Sequence, residues 1–187
     1  MSALRPLLIG AIGGAVYWLA AQIWPASVAV ILSMSATALL TLQSGVDARA
    51  ELQVFYLLIK YSALMALSSA KLPFAAPANL PLGLIMICGY SASFALAASI
   101  VAMRPEQHIA RISNSSSVVG LIIGFAPAAL LGIPGLIGLA AAIVAALSII
   151  AHLKIKHRAA SGDTRQLAQW LTELCFYLAA LASWRYI

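Results

Sequence analysis

The chain carries five carboxylates: Asp47, Glu51, Glu106, Asp163 and Glu173. Four fall in polar stretches, whereas Glu173 sits inside an apolar run. An ionisable side chain about two turns inside a membrane helix is costly and needs a partner or a water-filled cavity. Lys60 holds the corresponding place in another apolar run. It either extends along its alkyl stem to a polar interface or neutralises Glu173. Glu173 is accordingly either a functional group or a structural hydrogen-bonding one.

Two further constellations could carry chemistry. Asp47 and Glu51 are four residues apart and would share a face on a helix. Two such carboxylates could hold Mg²⁺, which takes one or two protein carboxylates together with phosphate oxygens. With Arg49 between them they are equally a solvated loop. In Ser161-Gly162-Asp163-Thr164, Asp163 or Thr164 could cap the helix that follows. Asp163 could instead ligate a metal or contact a polar substrate. The preceding Lys154, Lys156 and Arg158 could meet phosphates. His108, His152 and His157 lack a metal-ligand spacing such as HExxH. Cys88 and Cys175 both lie in apolar blocks and read as small hydrophobes. No P-loop, nucleophile elbow, dinucleotide glycine pattern or zinc signature is present.

These groups must be positioned by membrane helices. Of the 187 residues, 63% are hydrophobic and 9% charged, against about 45–50% and about 25% in soluble domains. A water-soluble globule is excluded, since there is too little polar surface to cover it. The apolar blocks approach the roughly 20 residues needed to cross hydrocarbon. They lack strand-like alternation, so they are expected to be helices, which satisfy their own backbone in lipid. The expected fold is all-α, a polytopic transmembrane bundle of about seven spans forming a single integral membrane domain. The spans are expected at 6–24, 26–42, 52–69, 80–103, 118–131, 136–153 and 167–184. The first block shows no cleavage pattern and is read as a true span. Pro127 is expected to interrupt the fifth span, and Gly132-Ile133-Pro134-Gly135 reads as a tight turn. Gly10 with Gly14 and Gly120 with Gly124 form GxxxG pairs, read as close internal packing or a dimer seam.

The eleven basic residues fix an orientation. With seven spans, Arg5, Arg49, Arg104, Arg111, Lys154, Lys156, Arg158 and Arg165 share one side. Only Lys71 and Arg185 fall on the other. The positive-inside rule then expects a multi-pass protein of the cell (inner) membrane, N-terminus cytoplasmic and C-terminus outside. The net charge of +6 is read as this topological signal, with the lipid bilayer rather than nucleic acid as partner. Chemistry on charged substrates belongs at the cytoplasmic face, where the loop carboxylates lie.

The last third of the chain resembles the cobalamin synthase family, the adenosylcobinamide-GDP ribazoletransferases. The resemblance is carried by a long apolar helix with Lys154, the short stretch Ala159-Ala160-Ser161, and Gly162-Asp163-Thr164. A final apolar helix follows, with Glu173-Leu174 and Phe176-Tyr177-Leu178-Ala179-Ala180-Leu181. Less specific likeness extends upstream through Arg111-Ile112 to a first helix beginning Pro6-Leu7-Leu8-Ile9-Gly10. Three departures stand out. Of the family's acid-rich loop after the second apolar block only Gly45-Val46-Asp47 remains. Trp170 stands where the family carries a further glutamate, and Gln166 where it carries a glycine.

The resemblance implies transfer of cobinamide phosphate from adenosylcobinamide-GDP to α-ribazole, releasing GMP. It implies Mg²⁺ as cofactor and corrinoid and nucleotide-loop substrates as partners. Asp163 and Glu173 would be catalytic, Lys154, Thr164 and Lys60 substrate-binding, and Asp47, Glu51 and Asp163 metal-binding. The competing expectations are a non-catalytic membrane subunit or scaffold related to that family, and a small transporter using Lys60 and Glu173 as a relay. A homo-oligomer or a membrane partner subunit fits the first two.

Overall fold

The computed structural model describes residues 5–42, 50–69, 80–102, 114–155 and 162–186, with only the backbone described near several of these limits. The described residues form seven helices and no strand. They are α1 Arg5–Ala20, α2 Ala26–Leu42, α3 Ala50–Ser69, α4 Leu80–Ala102, α5 Asn114–Leu130, α6 Gly132–Ile155 and α7 Gly162–Tyr186.

The distribution of polarity is that of a membrane bundle. Large apolar side chains such as Leu8, Phe55, Ile122, Val144, Leu147 and Leu178 face outward. The buried set includes Ser33, Lys60, Ser91, Thr172 and Glu173. Lipid accepts the apolar exterior, whereas interior polar groups need partners on neighbouring helices. By length and composition, α3, α4 and α6 are long and apolar enough to cross a membrane, and α1, α2 and α5 contain shorter apolar segments. In α7 the first turns are interrupted by Arg165, Gln166, Gln169 and Glu173.

Helix α4 is the axis of the bundle, packed against α1, α7, α5 and α6. Glycines set the distance. Gly10 and Gly14 of α1 lie against the α4 backbone at Ile87 and Gly83, and Gly124 of α5 lies against Ser91 and Ala95. These GxxxG glycines therefore pack inside the chain. Hydroxyls reinforce the contacts: Ser33 donates to the Gly13 carbonyl at 2.6 Å and Ser91 to that of Gly124 at 3.0 Å. Such interhelical bonds give modest stability in lipid but fix helix register.

The turn between α5 and α6 is tighter than the sequence suggests. Only Leu131 separates the helices, with Gly132 at φ +65°, a left-handed conformation that a side chain would strain. Ile133, Pro134 and Gly135 already belong to α6. A proline in the first turn costs no hydrogen bond, because the first amides of a helix have no intrahelical acceptor. Pro127 likewise does not interrupt α5, which runs through it to Leu130. It sits in the last turn, where one lost bond is tolerated.

Facing pairs give the helix directions. Gly10 meets Ile87 and Gly14 meets Gly83, so α1 and α4 are antiparallel. Gly89 meets Tyr177 and Phe94 meets Arg165, so α4 and α7 are antiparallel. Tyr56 meets Trp170 and Lys60 approaches Tyr177, so α3 and α7 run the same way. The first residues of α1, α3 and α7 thus lie toward one end of the bundle.

Candidate functional site

Two parallel helices present matching stripes to one another. On α3 the stripe is Gln53, Tyr56, Leu57 and Lys60, and on α7 it is Gln166, Gln169, Trp170 and Glu173. Each follows the i, i+3, i+4, i+7 spacing of a single helix face. Tyr177 extends the α7 stripe by one turn.

At the deep end of the stripes lies a closed charge network. Lys60 is 4% exposed and Glu173 is 0% exposed. The Lys60 Nζ is 2.6 Å from Glu173 Oε1. Tyr177 donates its hydroxyl to the same Oε1 at 2.9 Å, and Tyr56 donates to Oε2 at 2.6 Å. Lys60 also donates to the Tyr56 hydroxyl at 3.2 Å. Its ammonium lies 5.5 Å from the Tyr56 ring centre and 5.9 Å from that of Tyr177, within cation–π range. Both carboxylate oxygens are engaged, as a buried charge requires. Of the two fates open to Lys60, reaching an interface or neutralising Glu173, the structure shows the second.

Toward the end where α3 and α7 begin, the stripes line a partly open cleft of about 50 Å³. Met34, Thr37 and Ala38 of α2 close one side, and Tyr90 of α4 another. Lys60 and Tyr56 form part of the lining, so the network borders the cleft. Trp170 stacks on Tyr56, with ring centres 5.0 Å apart and planes 12° from parallel. The stack ties α3 to α7 and gives the cleft an aromatic wall. The Arg165 guanidinium lies over the Phe94 ring at 4.7 Å, tying the start of α7 to α4.

The structure brings together Lys60 and Glu173 of the residues singled out in the sequence. Thr164 is half-buried in the first turn of α7 and is not among the residues lining the cleft. Helix α7 begins at Gly162, which puts Asp163 and Thr164 inside its first turn. The side chains of Asp163, Glu51 and Lys154, and all of Asp47, lie outside the described residues. Among the described residues no three His, Cys, Asp or Glu side chains gather to hold a metal. Glu173 engages Lys60, Tyr177 and Tyr56 through its two oxygens. Cys88 is buried and Cys175 half-buried, both as free thiols.

Sequence reading missed Tyr56, Tyr177, Gln53, Gln166, Gln169 and Trp170 as a set. The signal was the shared spacing of polar and aromatic residues along two otherwise apolar helices.

The sequence pattern of the cobalamin-5-phosphate synthase family matches residues 43–181. The match runs from the α2–α3 connection into α7 and so includes both stripes; the likeness of the first helix lies outside it. No curated protein and no solved structure matches the chain.

Proposed function

The chain belongs to the cobalamin-5-phosphate synthase family, and from that premise we propose that it joins adenosylcobinamide-GDP to α-ribazole at one membrane face. The family makes it a synthase of cobalamin biosynthesis. In the proposed step an acceptor hydroxyl forms a bond to the phosphorus that carries the cobinamide. The bond from that phosphorus to GMP breaks, GMP leaves, and the hydroxyl proton passes to a carboxylate. The family's description names a cobalamin phosphate as product, so α-ribazole phosphate is the acceptor to compare with α-ribazole.

The observation that carries this reading is the parallel course of α3 and α7, which brings the first turns of both helices, and with them Asp163 of α7, to one end of the bundle, outside the interior of the cleft. Asp163 opens α7, one turn before Gln166 in the cleft wall. In this reading Asp163 acts at the reacting groups, with Lys154 and Thr164 contacting substrate. Asp47, Glu51 and Asp163 would supply Mg²⁺ ligands, and bound Mg²⁺ neutralises charge on a transferring phosphoryl group. Glu173 acts as a positioning residue, holding Lys60 and Tyr56 in the cleft wall.

Purified protein in lipid nanodiscs, given adenosylcobinamide-GDP, either acceptor and Mg²⁺, should release GMP. Asp163→Asn should lower the rate by ~10²-fold or more, the order of a lost acid–base group. GMP release unchanged by Asp163→Asn removes that residue from the chemistry. A folded but silent wild type favours a non-catalytic membrane subunit.

Seven crossings with the N-terminus cytoplasmic are proposed on the distribution of basic residues. With Cys88 and Cys175 replaced by alanine, Asn79→Cys should react with an impermeant maleimide in intact cells. Ser161→Cys should react only after lysis. Labelling of both from the same side overturns the topology.

A further inference from the structure

The cleft is bordered by a lysine, yet its lining among the described residues carries no net charge once Glu173 is counted with Lys60. Among the described residues the Lys60 ammonium is the one cationic lining group, and Glu173 meets it at 2.6 Å. The other polar lining groups, Thr37, Gln53, Tyr56, Tyr90, Gln166 and Gln169, are neutral. A phosphate entering here would have to compete with Glu173 for Lys60 and bring an unpaired charge into a buried site, both unfavourable.

The cleft also holds an unmet hydrogen-bonding atom. Gln166 Oε1 is buried and has no partner in the structure. Gln169, 7% exposed, lines the same space one turn on. A buried carbonyl oxygen is stabilised by accepting a hydrogen bond, so Gln166 favours an occupant of the cleft that carries a donor. The oxygen and nitrogen of a glutamine side chain can be exchanged without changing its shape. A ligand that both donates and accepts would satisfy Gln166 in either orientation. The space, about 50 Å³, has room for about three to five waters by the usual ~10–15 Å³ needed for each. It accommodates a small planar head, with the open side left for a stem. Trp170, Leu57 and Met34 supply apolar walls for a stem.

We propose that the α3–α7 cleft is an uncharged subsite for a primary carboxamide, paired with Gln166 and flanked by Gln169. The lysine at its edge is a neutralised structural group and not a phosphate clamp. The subsite goes beyond the transfer reaction, and its occupancy is measured without turnover. Failure here therefore leaves the transferase reading standing, and a silent GMP assay leaves this one standing.

The test uses the full chain in nanodiscs and ligand-observed saturation-transfer NMR. The probes are propionamide, its charged isostere propionate, and inorganic phosphate as competitor. Propionamide should show transfer above that of empty discs, propionate should not, and excess phosphate should leave the propionamide signal unchanged. Gln166→Met should lower the signal by ~3-fold or more, with a thermal midpoint matching wild type; Gln169→Met is the second variant. Loss of the signal in either well-folded variant supports the subsite. Absence of propionamide transfer, preference for propionate, competition by phosphate, or full signal in both folded variants overturns it.

Discussion

The α1–α4 interface and the α3–α7 interface hold the same bundle together by opposite means. Between α1 and α4 the contact is close and apolar. Gly10 and Gly14 let one backbone approach another, with the side chains of Ile87, Tyr90 and Tyr17 packed beside the contact. Between α3 and α7 the contact is made by long side chains, with an ion pair, two tyrosine hydroxyls and a stacked ring pair. The glycine interface leaves no room for a ligand. The charged interface borders a cleft. In lipid, apolar side chains gain little by leaving the solvent, so helices associate either through shape or through polar groups that lipid cannot satisfy. This molecule uses the first for scaffold and the second for the site.

The sharpest way to break that contrast is to remove one charge. Glu173→Gln keeps the side-chain shape and an acceptor for the tyrosines but leaves the Lys60 ammonium unpaired. The expected loss is about 3–5 kcal/mol, the usual cost of breaking a buried pair by removing one partner. Thermal unfolding in detergent would read it as a large fall in midpoint. Adding Lys60→Met should recover most of the loss, because pairs replaced together are often nearly neutral. A double variant no better than Glu173→Gln would show that the ammonium, once unpaired, is solvated and not buried.

A smaller effect is expected at the glycine interface, where the two sides are unequal. A side chain at Gly14 would meet Ile87 at 2.8 Å and the Gly83 carbonyl at 3.0 Å. Gly14→Val should cost about 1–3 kcal/mol through overpacking. A Cβ at Gly83 would meet the Gly14 carbonyl at 3.4 Å, an ordinary contact. Gly83→Ala should stay within about 1 kcal/mol of wild type, the gain in helix propensity offsetting tighter packing. Equal costs at both positions would mean that the helices separate on substitution and that close packing does not set their spacing. The same unfolding assay, run side by side, distinguishes these cases.

Much of the fold was legible in the sequence. The apolar blocks marked the helices, three of them long enough to cross a membrane, and polar or proline-containing stretches separated them. Pro127 and Pro134 misled in detail, because proline reads as a breaker while its position within a helix decides what it costs. The site was half legible. Lys60 and Glu173 stood out because charges are rare in apolar helices. Tyr56, Gln166, Gln169 and Trp170 did not, since one polar or aromatic residue near a helix end is ordinary. Gln166 and Trp170, where this chain departs from the pattern it resembles, both line the cleft. Two of the three departures therefore fall at one place in the fold, where they supply an aromatic wall and a carboxamide; the third, at Gly45-Val46-Asp47, lies outside the described residues.

The sequence by itself determined that this is a helical membrane protein, which segments form its helices, and which two buried charges required an explanation. Those are consequences of composition and spacing, which act along the chain. Tertiary structure alone decided that the two charges meet across 113 residues of sequence, that α3 and α7 run parallel, and that tyrosines complete the pair. In lipid many helix arrangements bury similar apolar area. What selects one is the fit of particular glycines and the need of particular buried polar atoms for partners, and both are properties of pairs of helices.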